Sequence, residues 1–123
     1  IKVSGIDISE YAINNAKEEV KSKITLGSAS ERFPWNDDSF DLVISINTLH
    51  NLYNYEICNS IKEINRVSSK DCHITIESYR NEVEKVNLMY WQLTCKAFMK
   101  PDEWEWFFSQ FGYNGDYGCI FFE

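Results

Sequence analysis

Asp7 closes the short stretch Lys2-Val-Ser-Gly-Ile-Asp7 and stands directly before Ile8 and a helix signal that begins at Ser9. A carboxylate at the carboxyl end of a strand can accept hydrogen bonds from both hydroxyls of a ribose. Its structural alternative is to complement the positive N-terminal end of the following helix. A second chemical cluster, Asn47-Thr-Leu-His-Asn-Leu52, follows a strongly apolar run. Within it His50 is the side chain best matched to act as a base on a substrate oxygen or nitrogen, because its ordinary pKa lies near neutrality. A substrate-lining or purely structural histidine fits the same pattern. Cys72 and His73 are metal-binding types side by side, but strand neighbours point to opposite faces and do not converge on one ion. His73 therefore takes a structural role. Cys58, Cys72, Cys95 and Cys119 contain no Cys-x-x-Cys pair. They read as reduced, mostly buried thiols, and no metal site is expected.

The elements that must position these groups alternate between strand and helix. Ser9 is a good N-cap, and Ala12, Ile13, Ala16 and Val20 recur at helical spacing through about Lys21. Ile24-Thr-Leu26 is a short strand, after which Gly27 lets the chain turn into a polar segment ending at Asp38. Phe40-Asp-Leu-Val-Ile-Ser-Ile46 is almost continuously apolar, the pattern of a central parallel strand covered on both faces. Asn54 is placed to cap a helix with Ile57, Ile61, Ile64 and Val67 on one stripe, and Ser68-Ser-Lys-Asp71 makes the turn out of it. Cys72-His-Ile-Thr-Ile-Glu-Ser-Tyr79 alternates as the next strand. Short connections between such units call for right-handed crossovers and an open α/β sheet. Val86, Met89, Tyr90, Leu93 and Ala97 then predict an inserted helix over 82–99, and Pro101 opens another with Trp104, Phe107, Phe108 and Phe111 on one face and Gly112 at its stop.

The run Gly27-Ser-Ala-Ser-Glu-Arg-Phe-Pro-Trp-Asn-Asp-Asp-Ser-Phe-Asp-Leu-Val-Ile-Ser-Ile46, together with the strand ending in Asp7, resembles the middle of class I S-adenosylmethionine-dependent methyltransferases, the type 11-like group among them. The resemblance covers residues 2 to about 79. It implies a three-layer Rossmann-like sheet, mostly parallel with an antiparallel closing hairpin in 113–123, and lacking the family's first strand, glycine-rich turn and first helix. On this resemblance Asp7 and Ile8 meet the ribose and adenine of S-adenosyl-L-methionine, and Ser28 stands where the family often has an acid for the adenine amine. Ala29 follows as the small residue near the ring. Asn47 bonds the amino acid portion, with Thr48 and Leu49 beside it. Phe33, Pro34 and Trp35 are packing determinants. A hydroxyl at 28 accepts less strongly than a carboxylate, so lower cofactor affinity is implied.

The resulting expectation is one partial methyltransferase domain over 1–123 with a helical insert around 80–100, transferring methyl groups to a small-molecule acceptor whose pocket walls are Tyr90, Trp91 and Phe98. Either residues 1–123 belong to a longer protein, or the chain is a natural truncation that no longer catalyses. The alternatives are a nicotinamide-dependent oxidoreductase, which also binds ribose through a strand-end acid, and a non-catalytic truncated interaction module whose unpaired sheet edge is prone to pairing with another chain, a homo-oligomer being one form this takes. A formal charge of −7 without any basic run argues against nucleic acid and anionic membranes as partners. No apolar run is long enough to span a bilayer and no signal peptide pattern opens the chain, so a cytoplasmic location is expected.

Overall fold

The computed structural model describes residues 1–123. In chain order the elements are β1 (Gly5–Asp7), α1 (Glu10–Asn14), α2 (Glu18–Lys21), β2 (Ile24–Leu26), β3 (Phe40–Ile46), α3 (Asn54–Val67), β4 (Ser68–Ser78), α4 (Glu82–Trp91), α5 (Pro101–Gln110) and β5 (Asp116–Phe121). β1 and β2 form a parallel pair, and β3, β4 and β5 form a second parallel sheet in that order. Parallel neighbours cannot be joined by a tight hairpin, so each connection needs a crossover, and the helices supply it.

The expected antiparallel closing hairpin is absent. A single strand, β5, pairs parallel with β4 from His73↔Asp116 to Ser78↔Phe121. Helices α4 and α5 intervene between the two strands and return the chain to the amino-terminal edge, and 113–123 is too short for two strands as well. Gly115 prepares this entry: a Cβ there would lie 2.5 Å from the Cys72 carbonyl oxygen and 2.6 Å from Cys72 Cβ. Close passage of the chain beside β4 thus requires glycine.

The core lies between α3, α5 and one face of β4. Ile57, Ile61, Ile64 and Val67 are buried to 3% exposure or less, as the helical stripe predicts, against Ile74, Ile76, Trp104 and Phe108. Each such side chain contributes roughly 1.5–3 kcal/mol on burial. The helix α3 starts one residue earlier in capping terms than expected: Tyr53 is the N-cap, and its amide donates to Glu56 Oε2 at 2.8 Å. Ser68 to Asp71 are not a turn but the start of β4, irregularly paired with β3 between Phe40 and Leu42. α5 keeps its expected form, with Pro101 in the first turn and Gly112 at φ +68° beyond the last.

Three further expectations change. The helix over 9–21 is broken at Asn15, which follows Asn14; both are weak helix formers. β3 is an edge strand with one bare face: Val43 packs toward α3, while Leu42, Ile44 and Ile46 are 57–59% exposed. α3 and α5 cover one side of the sheet only. Between β1 and β3 lies an apolar slot of about 560 Å³, lined among others by Val3, Ile6, Trp35, Leu42, Ile44 and Leu49. Finally, the inserted helix ends at Trp91, and its predicted stripe faces outward: Val86, Met89, Tyr90 and Leu93 are exposed, whereas Glu84 and Leu88 are buried. Residues 92–100 form an irregular strap that opens with a turn at Leu93 and Thr94 and whose Cys95, Ala97 and Met99 are buried in alternation.

Candidate functional site

The carboxyl ends of β1, β2 and β3 carry Asp7, the 27–31 turn and the 47–52 turn. Asp7 is exposed, and its Oδ1 accepts the Ser9 amide at 2.8 Å while Ser9 Oγ in turn accepts the Ala12 amide at 3.1 Å. The acid therefore braces the helix start with one oxygen and has no other hydrogen bond within the protein. Ile8 beside it is 75% exposed, not the beginning of a core. Ser28 Oγ accepts the Ser30 amide at 3.1 Å and lies 2.7 Å from Ser30 Oγ, so it holds its own turn together. The Ala29 carbonyl accepts from Ser60 Oγ.

From Ala29 the chain descends along α3 toward the start of β3, and one ion pair fixes its course. Arg66 donates to the carbonyls of Trp35 and Phe33, to Asp37 Oδ1 and, through Nε and Nη2, to both oxygens of Glu63 at 2.8 and 2.6 Å. Glu63 Oε2 also accepts the Phe33 amide at 2.7 Å. The Arg66 hydrogen bonds hold the Glu63 carboxyl below its ordinary range, ahead of a burial effect in the other direction. Phe33, Trp35 and Phe40 stack edge to face in this bracket, consistent with their reading as packing residues.

The turn after β3 begins with Asn47 in the left-handed region, φ +53°, which asparagine tolerates better than most residues. Its amide completes the ladder by donating to Thr75 O at 3.0 Å. Asn47 is exposed, Thr48 Oγ1 donates to Ile46 O, and Leu49 is fully buried in the core. Asn47 and Thr48 are thus at the edge, whereas Leu49 supports them from beneath.

His50 is 1% exposed. Its Nδ1 accepts the Glu77 amide at 3.2 Å, which puts the ring proton of the neutral form on Nε2, and Nε2 lies 3.2 Å from Glu77 Oε2. The contact is too oblique to count as a hydrogen bond, and Oε2 is buried without a partner. Burial lowers the His50 pKa to about 4 and raises that of Glu77, against which the hydrogen bond from Gln92 acts. A neutral, buried ring with both nitrogens turned to Glu77 has nothing to offer a bound molecule. Of the base, substrate-lining and structural readings of His50, this geometry favours the structural one. Tyr90 and Trp91 are 82% and 70% exposed on α4, and Phe98 packs on the small cluster of Tyr79, Leu88 and Cys95. Phe98 also lines a surface pocket of about 610 Å³ with Asn54, Asp102 and Trp106. No group of three or more His, Cys, Asp or Glu side chains converges.

Sequence reasoning passed over Glu77, Gln92 and the Glu63–Arg66 bracket. Glu77 carried the same signal as Asp7, an acid at the carboxyl end of an apolar strand. The Glu63–Arg66 spacing of three shows a helical ion pair, but nothing in the sequence joins it to 33–37, some thirty positions away.

An open α/β architecture with an acid and polar turns at the carboxyl edge of parallel strands is the class that binds nucleotide-like ligands there. The chain belongs to the methyltransferase-domain family, whose model matches residues 1–112. No curated protein and no solved structure matches.

Proposed function

We propose that the chain carries the cofactor-binding edge of an S-adenosylmethionine-dependent methyltransferase acting on a small, partly apolar acceptor. The observation that carries this reading is Asp7: exposed at a strand's carboxyl end, fixed in place by Ser9, and with acceptor capacity to spare for two ribose hydroxyls. Ser28 at the β2 turn would take the adenine amine, with Ile8 and Ala29 near the ring, and Asn47 and Thr48 would hold the amino acid portion. The cofactor supplies, when bound, an electrophilic methyl on a sulfonium. What the protein adds is alignment of acceptor and methyl, which can lower the barrier by several kcal/mol without a general base. That suits a site in which His50 is buried and neutral. Tyr90 and Trp91, exposed on the helix that follows β4, are available as acceptor walls. The methyltransferase-domain match supports methyl transfer over hydride transfer, while Asp7 alone would suit the ribose of either cofactor.

A second reading, a non-catalytic interaction module, is favoured by one observation: β1 and β3 each turn an unpaired edge toward the apolar slot. Calorimetric titration separates the two. Binding of S-adenosylhomocysteine in preference to NAD supports the methyltransferase reading; no heat with either ligand in a folded sample favours the module.

A further inference from the structure

Glu77 continues β4 beyond the point where β3 has turned away at Asn47, so its amide lacks a strand partner on that side. His50 Nδ1 fills the place at 3.2 Å. The His50 carbonyl in turn accepts two amides from the strap, Lys96 at 2.8 Å and Ala97 at 3.0 Å. Gln92 Nε2 donates to Glu77 Oε1 at 2.7 Å, and Thr94 Oγ1 donates to Asn51 Oδ1 at 3.0 Å. Lys96 Nζ lies 4.2 Å from the centre of the Tyr53 ring, and Ser78 Oγ anchors the far end of the strap at Met99 O. His50 and Glu77 are 1% and 2% exposed, and both are hydrogen-bonded to the strap.

We propose that the 92–100 strap and the 47–52 turn form one mechanical unit, clipped through Gln92, Glu77 and His50, and that Gln92 and Glu77 are positioning residues coupling α4 to the edge turn. The proposal rests on the methyl-transfer reading only for what the two sides bind: acceptor along α4, cofactor at Asn47. The physical reason for joint movement is the cost of separating the halves. Lifting the strap alone leaves the His50 carbonyl without two donors and Glu77 Oε1 without Gln92, next to an oxygen that already has no partner. Stranding buried polar groups in this way is costly, so opening one side favours release of the other. Independent loops pay no such shared cost.

Amide hydrogen exchange followed by NMR tests this without any ligand. In Gln92→Ala, the amides of Lys96, Ala97, Glu77, Asn51 and Leu52 should exchange faster together, by roughly tenfold or more, while Ile74 and Ile76 inside β4 keep their protection. A response confined to Lys96 and Ala97, or no response, overturns the coupling. If Gln92→Ala loses protection throughout, Thr94→Val decides, because it cuts an exposed link: joint acceleration of the same five amides supports the unit, and its lack overturns it. Failure of the unaltered protein to bind S-adenosylhomocysteine would instead remove the methyl-transfer reading and leave the exchange result standing.

Discussion

A side chain's position decides whether its charge is an asset or a cost, and Asp7 and Glu77 show both outcomes in one chain. Asp7 remains in water with one oxygen committed to Ser9. Asp7→Ala should therefore weaken S-adenosylhomocysteine binding by about 1.5–3 kcal/mol, the worth of hydrogen bonds to a charged group, with little loss of stability. Calorimetry on the two proteins checks this, and equal affinities would take Asp7 out of the site. Glu77 and His50 are instead out of water, and their pKa values move in opposite directions from a shared cause, burial. For His50 the folded value is about 4 against an ordinary 6.5, so as pH falls from 6.5 toward 4 the unfolded chain takes up a proton that the folded chain refuses. Stability is lost across that window, by about 3 kcal/mol in full. For Glu77 the sign reverses: its raised folded pKa makes ionisation costly, and that cost grows as pH rises above the ordinary carboxylate value. Glu77→Gln should accordingly stabilise the protein at pH 7, with the amide oxygen toward His50 Nε2–H and Gln92 turning its own oxygen to the new NH2 group. Urea unfolding should show the gain shrinking toward pH 4.5, where the wild-type carboxyl carries its proton; a gain independent of pH would mean that packing rather than charge is responsible.

Elements are legible from sequence when one face of a segment declares itself, and the chain shows where that ends. The α3 stripe, Pro101 and Gly112 of α5 and the acid closing β1 all stand where their residues put them, whereas the apolar run of β3 forms a strand at an edge and not at the centre. Periodicity finds a stripe without saying what covers it, which is why the Val86, Met89, Tyr90 and Leu93 row faces outward while Glu84 and Leu88 are inside. Glu84 can be there because Arg80 donates to both its oxygens, from Nε to Oε1 and Oε2 and from its own amide to Oε2. Cys95, Ala97 and Met99 alternate in the strap, and the helical spacing that runs on from Met89 through Leu93 to Ala97 masks that alternation. β5 became parallel because two helices, not one turn, precede it. Least legible was the Glu63–Arg66 bracket that seats the 33–37 segment, since only the fold brings those residues together. With side chains about 15% exposed and a fan of charge-assisted hydrogen bonds, removing Arg66 strands both Glu63 and the carbonyls of Phe33 and Trp35. Arg66→Ala should lower the urea midpoint at unchanged slope. An unchanged midpoint would place this pair with ordinary surface ion pairs.

At the scale of the whole molecule, the unresolved tension is between a net charge of −7 and two uncovered apolar surfaces. Leu42, Ile44 and Ile46 make a row on the bare face of β3, beside a slot where two strand edges are unpaired. Val83, Val86 and Tyr90 make a second row on α4, continued by Leu93 just beyond its end. Contiguous apolar surface joined to open strand edges promotes pairing between chains, whereas like charge on every copy opposes it. The β3 surface offers both backbone hydrogen bonds and apolar area, while α4 satisfies its own backbone and offers area alone. Chain 1–123 should therefore self-associate through the β3 side, and more strongly as salt rises from about 0.05 to 0.5 M and screens the repulsion. Ile44→Lys, at a position 59% exposed, should reduce the association seen in sedimentation velocity without changing the circular dichroism spectrum; Leu93→Ser, at 90% exposed, should leave it intact. The reverse pattern would make α4 the contact surface, and a monomer at every concentration and salt would show that the charge alone prevails over both surfaces.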